Sequence, residues 1–279
     1  MNFDTFSLAA MAHELRHTLS GGRVQRVTQI NSLTYSFEIF IHPIRHYLTL
    51  SAEPQAPRLH LTLNKSRRGV GHETPLMLVL RKYMRGAKLA GIEQPPYERI
   101  LYFYFDSPFE PTILAAEMLG TRSNLVLLNA EQTVLGVARL PKGDAQSGQR
   151  TLLPNQYYQP PPPLQKLLPA QLTEYTLRQE LAEASPEFKL ARLLPQILNG
   201  VSPLLAKEIT FRATGSAETT VGELTALSPL LQAVAQLFAQ LDSNAWQPTL
   251  AFDEDDSPVA FAPYTLTHLP PPRPTAPFS

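Results

Sequence analysis

Val24-Gln25-Arg26-Val27-Thr28-Gln29-Ile30, the break Asn31-Ser32, and Tyr35-Ser36-Phe37-Glu38-Ile39-Phe40-Ile41 set two alternating runs on either side of a turn signal. A period of two sends every second side chain to one face of a pleated strand, so the pair reads as adjacent antiparallel strands. Tyr47 to Leu50 and Leu59 to Leu63 continue the pattern after His42-Pro43 and the Pro54/Pro57 stretch, which predicts a meander. Ahead of it, Phe6, Leu8, Ala9, Met11, Ala12, Leu15 and Leu19 fall at helical spacing, and Ser20-Gly21-Gly22 ends that pattern. Behind it the helical period returns from Pro75 through Leu76, Val79, Leu80, Tyr83 and Met84 and closes at Gly86. Strands are expected again at 89–92, 100–105, 125–128 and 134–137. The expectation for residues 1–160 is an α+β domain, two antiparallel β-layers with flanking helices.

Pro154 and the run Pro160-Pro161-Pro162-Pro163 fix an extended backbone without donors and mark a boundary. Beyond them, 164–213 and 220–241 are rich in Leu and Ala at helical spacing, so 164–243 is expected to be an all-α domain. Apolar runs at 249–252 and 259–261 flank the acidic turn Asp253-Glu254-Asp255-Asp256, and 246–268 is expected to form a hairpin returning to the first domain. The proline-rich end, 269–279, is expected to be disordered or extended.

The formal charge of zero conceals a division. Residues 1–150 hold 17 Lys and Arg against 12 Asp and Glu, a charge of +5, and residues 151–279 hold 7 against 12, a charge of −5. A nucleic-acid partner should therefore meet the first half. The absence of cysteine excludes disulfide frameworks and thiolate metal sites. Nothing approaches the roughly 20 apolar residues of a membrane span, and Met1-Asn2-Phe3-Asp4 does not open like a signal peptide, so no membrane partner and a cytoplasmic location are expected.

Five constellations bear on chemistry. Arg58 through Lys88 holds eight cations and one acid, Glu73. The glycines beside Arg67 and Arg68 let a loop fit a phosphate backbone, and Arg81, Lys82, Arg85 and Lys88 follow on the next helix and strand. Tyr83, Tyr97, Tyr102 and Tyr104 interleave with these charges as stacking candidates or core. Glu98-Arg99 stands at the entry of a strongly apolar strand. Glu117-Met118-Leu119-Gly120-Thr121-Arg122-Ser123-Asn124 reads as a turn shaping the sheet. Gly200, Val201 and Ser202 join two helices, with Ser202 as cap and Pro203 at the first helical position, an arrangement able to cradle a phosphate. His13-Glu14-Leu15-Arg16-His17 matches the zinc-hydrolase pattern H-E-x-x-H, but its extended form needs Gly and His where Ser20 and Arg23 stand. No metal, cofactor or catalytic residue is expected.

The segments L-R-K-Y-M-R-G at 80–86, I-E-Q-P-P-Y-E-R-I at 92–100 and E-M-L-G-T-R-S-N-L-V-L at 117–127 resemble, in order and spacing, the NFACT family. Its members are ribosome quality-control factors called RqcH in bacteria and NEMF in animals, fibronectin-binding protein A-like in some descriptions. The resemblance implies a formamidopyrimidine-DNA-glycosylase-like N-terminal domain followed by a helix-hairpin-helix domain. Asn2-Phe3 replaces the proline nucleophile of those glycosylases. It also implies a non-catalytic role: holding aminoacyl-tRNA, alanine tRNA in bacteria, on a large ribosomal subunit jammed with peptidyl-tRNA, so that the ribosome adds an untemplated tail. The family carries an Asp-Arg pair implicated in tRNA handling where Glu98-Arg99 stands. Its members continue into a coiled coil and a further RNA-binding domain, and this chain is expected to be a fragment cut before them or a shortened relative. The alternatives are a zinc hydrolase on His13 and His17, and a fibronectin-binding adhesin.

Overall fold

The computed structural model describes residues 3–69, 71–140 and 150–269. The chain divides into two compact units, Met11–Pro162 and Pro163–Ser279 with Phe3–Ala10. The first helix, α1 (Thr5–Leu19), gives residues to both. The proline-rich end lies, from Pro270 on, outside the described residues.

In the first unit, Gly21 and Gly22 turn the chain from α1 into a sheet. Gly21 sits at φ +80°, and a Cβ on Gly22 would lie 2.5–2.9 Å from Ile39, Ile41 and Leu19, so a larger residue cannot enter. The strands are β1 (Arg23–Asn31), β2 (Thr34–Ile41), β3 (Ile44–Ser51), β4 (Arg58–Thr62), β5 (Lys88–Glu93), β6 (Ile100–Asp106), β7 (Thr112–Glu117), β8 (Asn124–Asn129) and β9 (Val134–Val137). They form one nine-stranded antiparallel sheet in the order β4-β3-β2-β1-β5-β6-β7-β8-β9. Cross-strand partners such as Val27–Phe37, Phe37–Leu48 and Leu50–Leu59 place the predicted apolar positions on one face.

β3 and β8 come into contact although six steps apart in that order. A flat sheet would hold them about 29 Å apart, so the single sheet folds over on itself. The fold turns at β1–β5, where the register has one pair, Arg23–Lys88, supplemented by the bonds of Gly21 and Gly22 with Leu89. Helix α2 (Pro75–Met84) starts at the Thr74 cap, whose hydroxyl accepts from the Met77 N–H at 3.2 Å, and buries Leu76, Met77, Leu80 and Met84.

β7 was not expected from the sequence. Five of its six residues are buried, so the period-two signal is missing, and Ala115-Ala116 lack the branched or aromatic character of ordinary strands.

The second unit contains α3 (Glu174–Glu183), α4 (Leu190–Ile197), α5 (Pro203–Thr214) and α6 (Ser228–Ser243). The last begins eight residues later than the apolar pattern suggests, with Pro229 in its first turn. The expected hairpin forms as β10 (Thr249–Phe252) and β11 (Pro258–Ala262), but its place differs from the expectation. These strands are a separate two-stranded sheet, grouped with the helices and not with the large sheet. The cause is apolar packing together with the first turns of α1: Phe3 meets Phe261 edge-on at 5.9 Å, and Phe6 meets both Phe238 and Tyr264.

A fully bonded carboxylate lies in α5. Glu208 is 0% exposed and accepts from Arg212 Nε at 2.6 Å, from the Thr267 hydroxyl at 2.7 Å and N–H at 2.8 Å, and pairs with His268 Nδ1 at 2.7 Å. Burial alone drives its carboxyl pKa up, but the hydrogen bonds from His268, Thr267 and Arg212 prevail and bring it down to about 2.

Candidate nucleic-acid interface

The basic segment is shaped by one glutamine of β1. Gln29 donates from Nε2 to the His72 carbonyl at 3.1 Å, accepts at Oε1 from the Thr74 N–H at 3.0 Å, and offers its own carbonyl to the Gly69 N–H at 3.1 Å. Lys65 pairs with the buried Glu38 at 2.9 Å. These ties hold the segment between β4 and α2 against β1 and β2. They leave a cavity of about 300 Å³ whose lining includes Arg26, Gln29, Arg68, Glu73, Arg81 and Arg85.

Four arginines and one carboxylate thus line one cavity, and two of the arginines reach the carboxylate. Arg68 lies 3.2 Å from Glu73 Oε1, and Arg81 pairs with the same oxygen. The hydrogen bond from Arg81, with the nearby charges of Arg81 and Arg68, holds the Glu73 carboxyl below the usual carboxylate range, and Glu73 in turn raises Arg81. Both arginines keep half or more of their side-chain surface in solvent, at 58% and 50%. Arg26 and Arg85 are exposed and form no ion pair among the described residues. The arrangement can hold an anion larger than one carboxylate.

Of the residues singled out from the sequence, Arg68, Arg81 and Arg85 come together here. Arg67 is exposed but does not line the cavity. Lys82, one residue on from Arg81 and therefore rotated about 100° around the helix, lies over the rings of Tyr83 at 4.7 Å and Phe109 at 5.8 Å. Lys88 opens β5 opposite Arg23 and Asp106.

Glu98 and Arg99 are not part of this cluster. They follow the far end of β5, whose five steps from Lys88 to Glu93 span about 17 Å. There Tyr97 takes a positive φ of 62°, Gln94 Nε2 donates to the Glu98 carbonyl at 2.8 Å, and Arg16 Nε donates to the Ile92 carbonyl at 2.7 Å. Burial pushes the Glu98 carboxyl up, and the charge of Arg99 opposes that rise. The first unit therefore presents two separate polar sites. The tyrosines serve mainly internal bonds: Tyr104 donates to Glu93 at 3.0 Å, with its hydroxyl pushed up to about 12 by burial and that carboxylate, and Tyr102 is bonded to the buried Tyr158.

The 117–124 block is architectural. Glu117, 1% exposed, accepts from the Tyr158 hydroxyl at 2.8 Å and pairs with Arg150. Gly120 adopts φ +64°, and Asn124 bonds the backbone of Arg139 through both ends of its amide, at 2.8 and 3.1 Å.

The turn between α4 and α5 carries the residues expected to cradle a phosphate. Ser202 does cap α5, accepting from the Leu205 N–H at 3.2 Å, and Gly200 takes φ +79°. Its hydroxyl, however, donates to Asp4 Oδ2 at 2.7 Å, while the other Asp4 oxygen accepts from the Ser7 N–H at 2.8 Å. The Ser202 hydroxyl is thus engaged within the chain, the Gly200 N–H donates to Asn199 Oδ1 at 2.9 Å, and Val201 is buried. His13 and His17 meet edge-on at 4.3 Å, with His17 Nδ1 bonded to the His13 carbonyl at 2.9 Å. Among the described residues no group of three or more His, Cys, Asp or Glu gathers where an ion could be held, so the zinc pair has no third ligand there. No helix among them is long and apolar enough to cross a membrane.

Arg26 and Gln29 escaped the sequence reading because each is one of several polar residues in β1, where the ordinary position is a solvated face. A signal existed in the lone acid Glu73 among eight cations.

Comparison with known proteins shows which family shares this fold. The chain is 30% identical over 259 residues to the Rqc2 homolog RqcH of Bacillus subtilis (strain 168), covering 90% of this chain and 43% of that protein. It is 30% identical over 268 residues to the Rqc2 homolog RqcH of Streptococcus pneumoniae serotype 2, covering 94% and 44%. It therefore spans less than half the length of these curated relatives. Among solved structures, the N-terminal part of the fibronectin/fibrinogen-binding protein from Streptococcus suis superposes with a TM-score of 0.75 at 26% identity, covering 99% of this chain and 96% of that one. The family model described as NFACT N-terminal and middle domains matches residues 4–277. With the sheet, the helical unit and all three sequence blocks inside that match, the chain belongs to the NFACT family.

Proposed function

We propose that this chain is the tRNA-holding part of a ribosome quality-control factor. In this reading the factor binds aminoacyl-tRNA, alanine tRNA in particular, together with an obstructed large ribosomal subunit carrying peptidyl-tRNA. It promotes an untemplated alanine tail on the stalled chain, in the cytoplasm. The ribosome makes the peptide bond, so the chain acts by binding and carries no catalytic residue.

The observation that supports this most is the convergence of Arg26, Arg68, Arg81 and Arg85 on one groove of a family member whose acidic surplus lies elsewhere. Phosphate oxygens match the guanidinium fork, and each neutralised phosphate releases counterions, which gives binding a steep salt dependence. Glu98-Arg99 supplies a second contact outside the groove, which suits a ligand as long as tRNA better than a small anion. The helix-hairpin-helix turn at 199–202 has the role of packing the second unit.

Equilibrium binding of alanine tRNA and of a second tRNA, measured across a salt series, tests the reading. Binding that falls steeply with salt supports it, and no binding at any salt contradicts it. The name of the Streptococcus suis relative motivates one other reading, a fibronectin-binding surface protein. Immobilised fibronectin in the same assay separates the two, because saturable fibronectin binding without tRNA binding would favour the adhesin.

A further inference from the structure

We propose that Glu73 occupies, in the unliganded chain, the position of an RNA backbone phosphate, and that RNA binding displaces this carboxylate from Arg68 and Arg81. The inference deepens the tRNA reading and rests on it.

Charge count comes first: the groove's lining holds four arginines and Glu73, so it is far from neutral when Glu73 is in place. Geometry comes second, since Arg68 and Arg81 converge on the same oxygen, Oε1, as two donors converge on one phosphate oxygen. Anchoring comes third. The segment that carries Glu73 is already tied to β1 through Gln29, at Gly69, His72 and Thr74, and α2 is capped by Thr74, so the fold does not depend on Glu73 staying paired. Solvent access comes last: both arginines are at least half exposed, and exposed ion pairs exchange readily with another anion. A carboxylate with two oxygens gives way to a phosphodiester that also reaches Arg26 and Arg85. The pairing keeps the groove from collecting small anions and reserves it for a ligand with several phosphates.

The test compares the full chain with Glu73→Gln, Glu73→Asp, the charge-matched control Glu131→Gln at an exposed turn, and Glu73→Gln combined with Arg68→Ala. The probes are deacylated tRNA and inorganic tripolyphosphate, with a thermal melt of each variant to confirm folding. Glu73→Gln is expected to tighten tRNA about fivefold and to steepen the salt slope by about one phosphate's share, near 0.7–0.9 in log K against log salt. Glu73→Asp should fall between it and the wild type, Glu131→Gln should change binding less than about twofold, and Arg68→Ala should abolish the gain. If wild type binds tRNA with normal salt dependence but Glu73→Gln is no tighter than Glu131→Gln, the substitute role is overturned and the tRNA reading survives. If no form binds tRNA while Glu73→Gln gains tripolyphosphate, RNA as the ligand is overturned together with the tRNA reading.

Discussion

Glu73 and Glu208 are both carboxylates paired with arginine, and they stand in opposite circumstances. Glu208 is wholly buried, every oxygen is used, and its partners come from a neighbouring helical turn and from the segment Thr267-His268. Glu73 keeps 24% of its side chain in solvent and shares one oxygen between two arginines in a groove with cations to spare. A fully satisfied buried charge fixes structure because removing it leaves its partners without compensation. A partly satisfied charge at a surface, outnumbered by its opposite, marks a place where a ligand exchanges with the protein.

If that contrast is right, substitutions in the two regions should change different observables. The largest effect on stability is expected from Glu208→Ala, about 3–5 kcal/mol in denaturant unfolding, with tRNA affinity unchanged in the folded fraction. The pH dependence should carry the same signature. A carboxylate at about 2 when folded and in the ordinary range near 4.3 when unfolded contributes stability that is complete above the unfolded value. That contribution, about 3 kcal/mol, is lost as pH falls from there toward 2, and acid titration of the wild type against Glu208→Gln should show it only in the former.

Next in size, Arg81→Ala and Arg85→Ala should each weaken tRNA about tenfold while leaving the melting curve nearly unmoved. Arg99→Ala should weaken tRNA additively with Arg81→Ala, since Arg99 does not line the groove that holds Arg81; a coupled effect would mean that they act as one. The smallest effect is expected at the hairpin. Ser202→Ala should cost about 1 kcal/mol of stability, as loss of a helix cap does, and leave tRNA binding untouched; a selective loss of binding would restore the phosphate cradle.

Much of the sheet unit was legible because its strands alternate and its helices have clear ends. Thr5 to Leu19, Thr34 to Ile41 and Pro75 to Met84 carry their period and punctuation locally. β7 was not legible, because a strand buried on both faces has no alternation to read. The placement of the hairpin was hidden for another reason: Phe261 and Tyr264 find Phe3 and Phe6 across the length of the chain, and no local pattern encodes such a partner. The candidate site divides the same way. Arg68, Arg81 and Arg85 were visible as a cluster in sequence, but the pairing of two of them with Glu73 and the contribution of Arg26 depend on the loop's path over β1. Ser202 read correctly as a cap, while its bond to Asp4, 198 residues away, could be found only in three dimensions.

The claim that the α2 groove receives RNA phosphates is tested most directly by comparing the salt slopes of tRNA binding for the wild type and the Arg81→Ala, Arg85→Ala double variant. A shallower slope in the variant, by about two phosphates' share, is predicted. An identical slope, with affinity lost or retained, would contradict it.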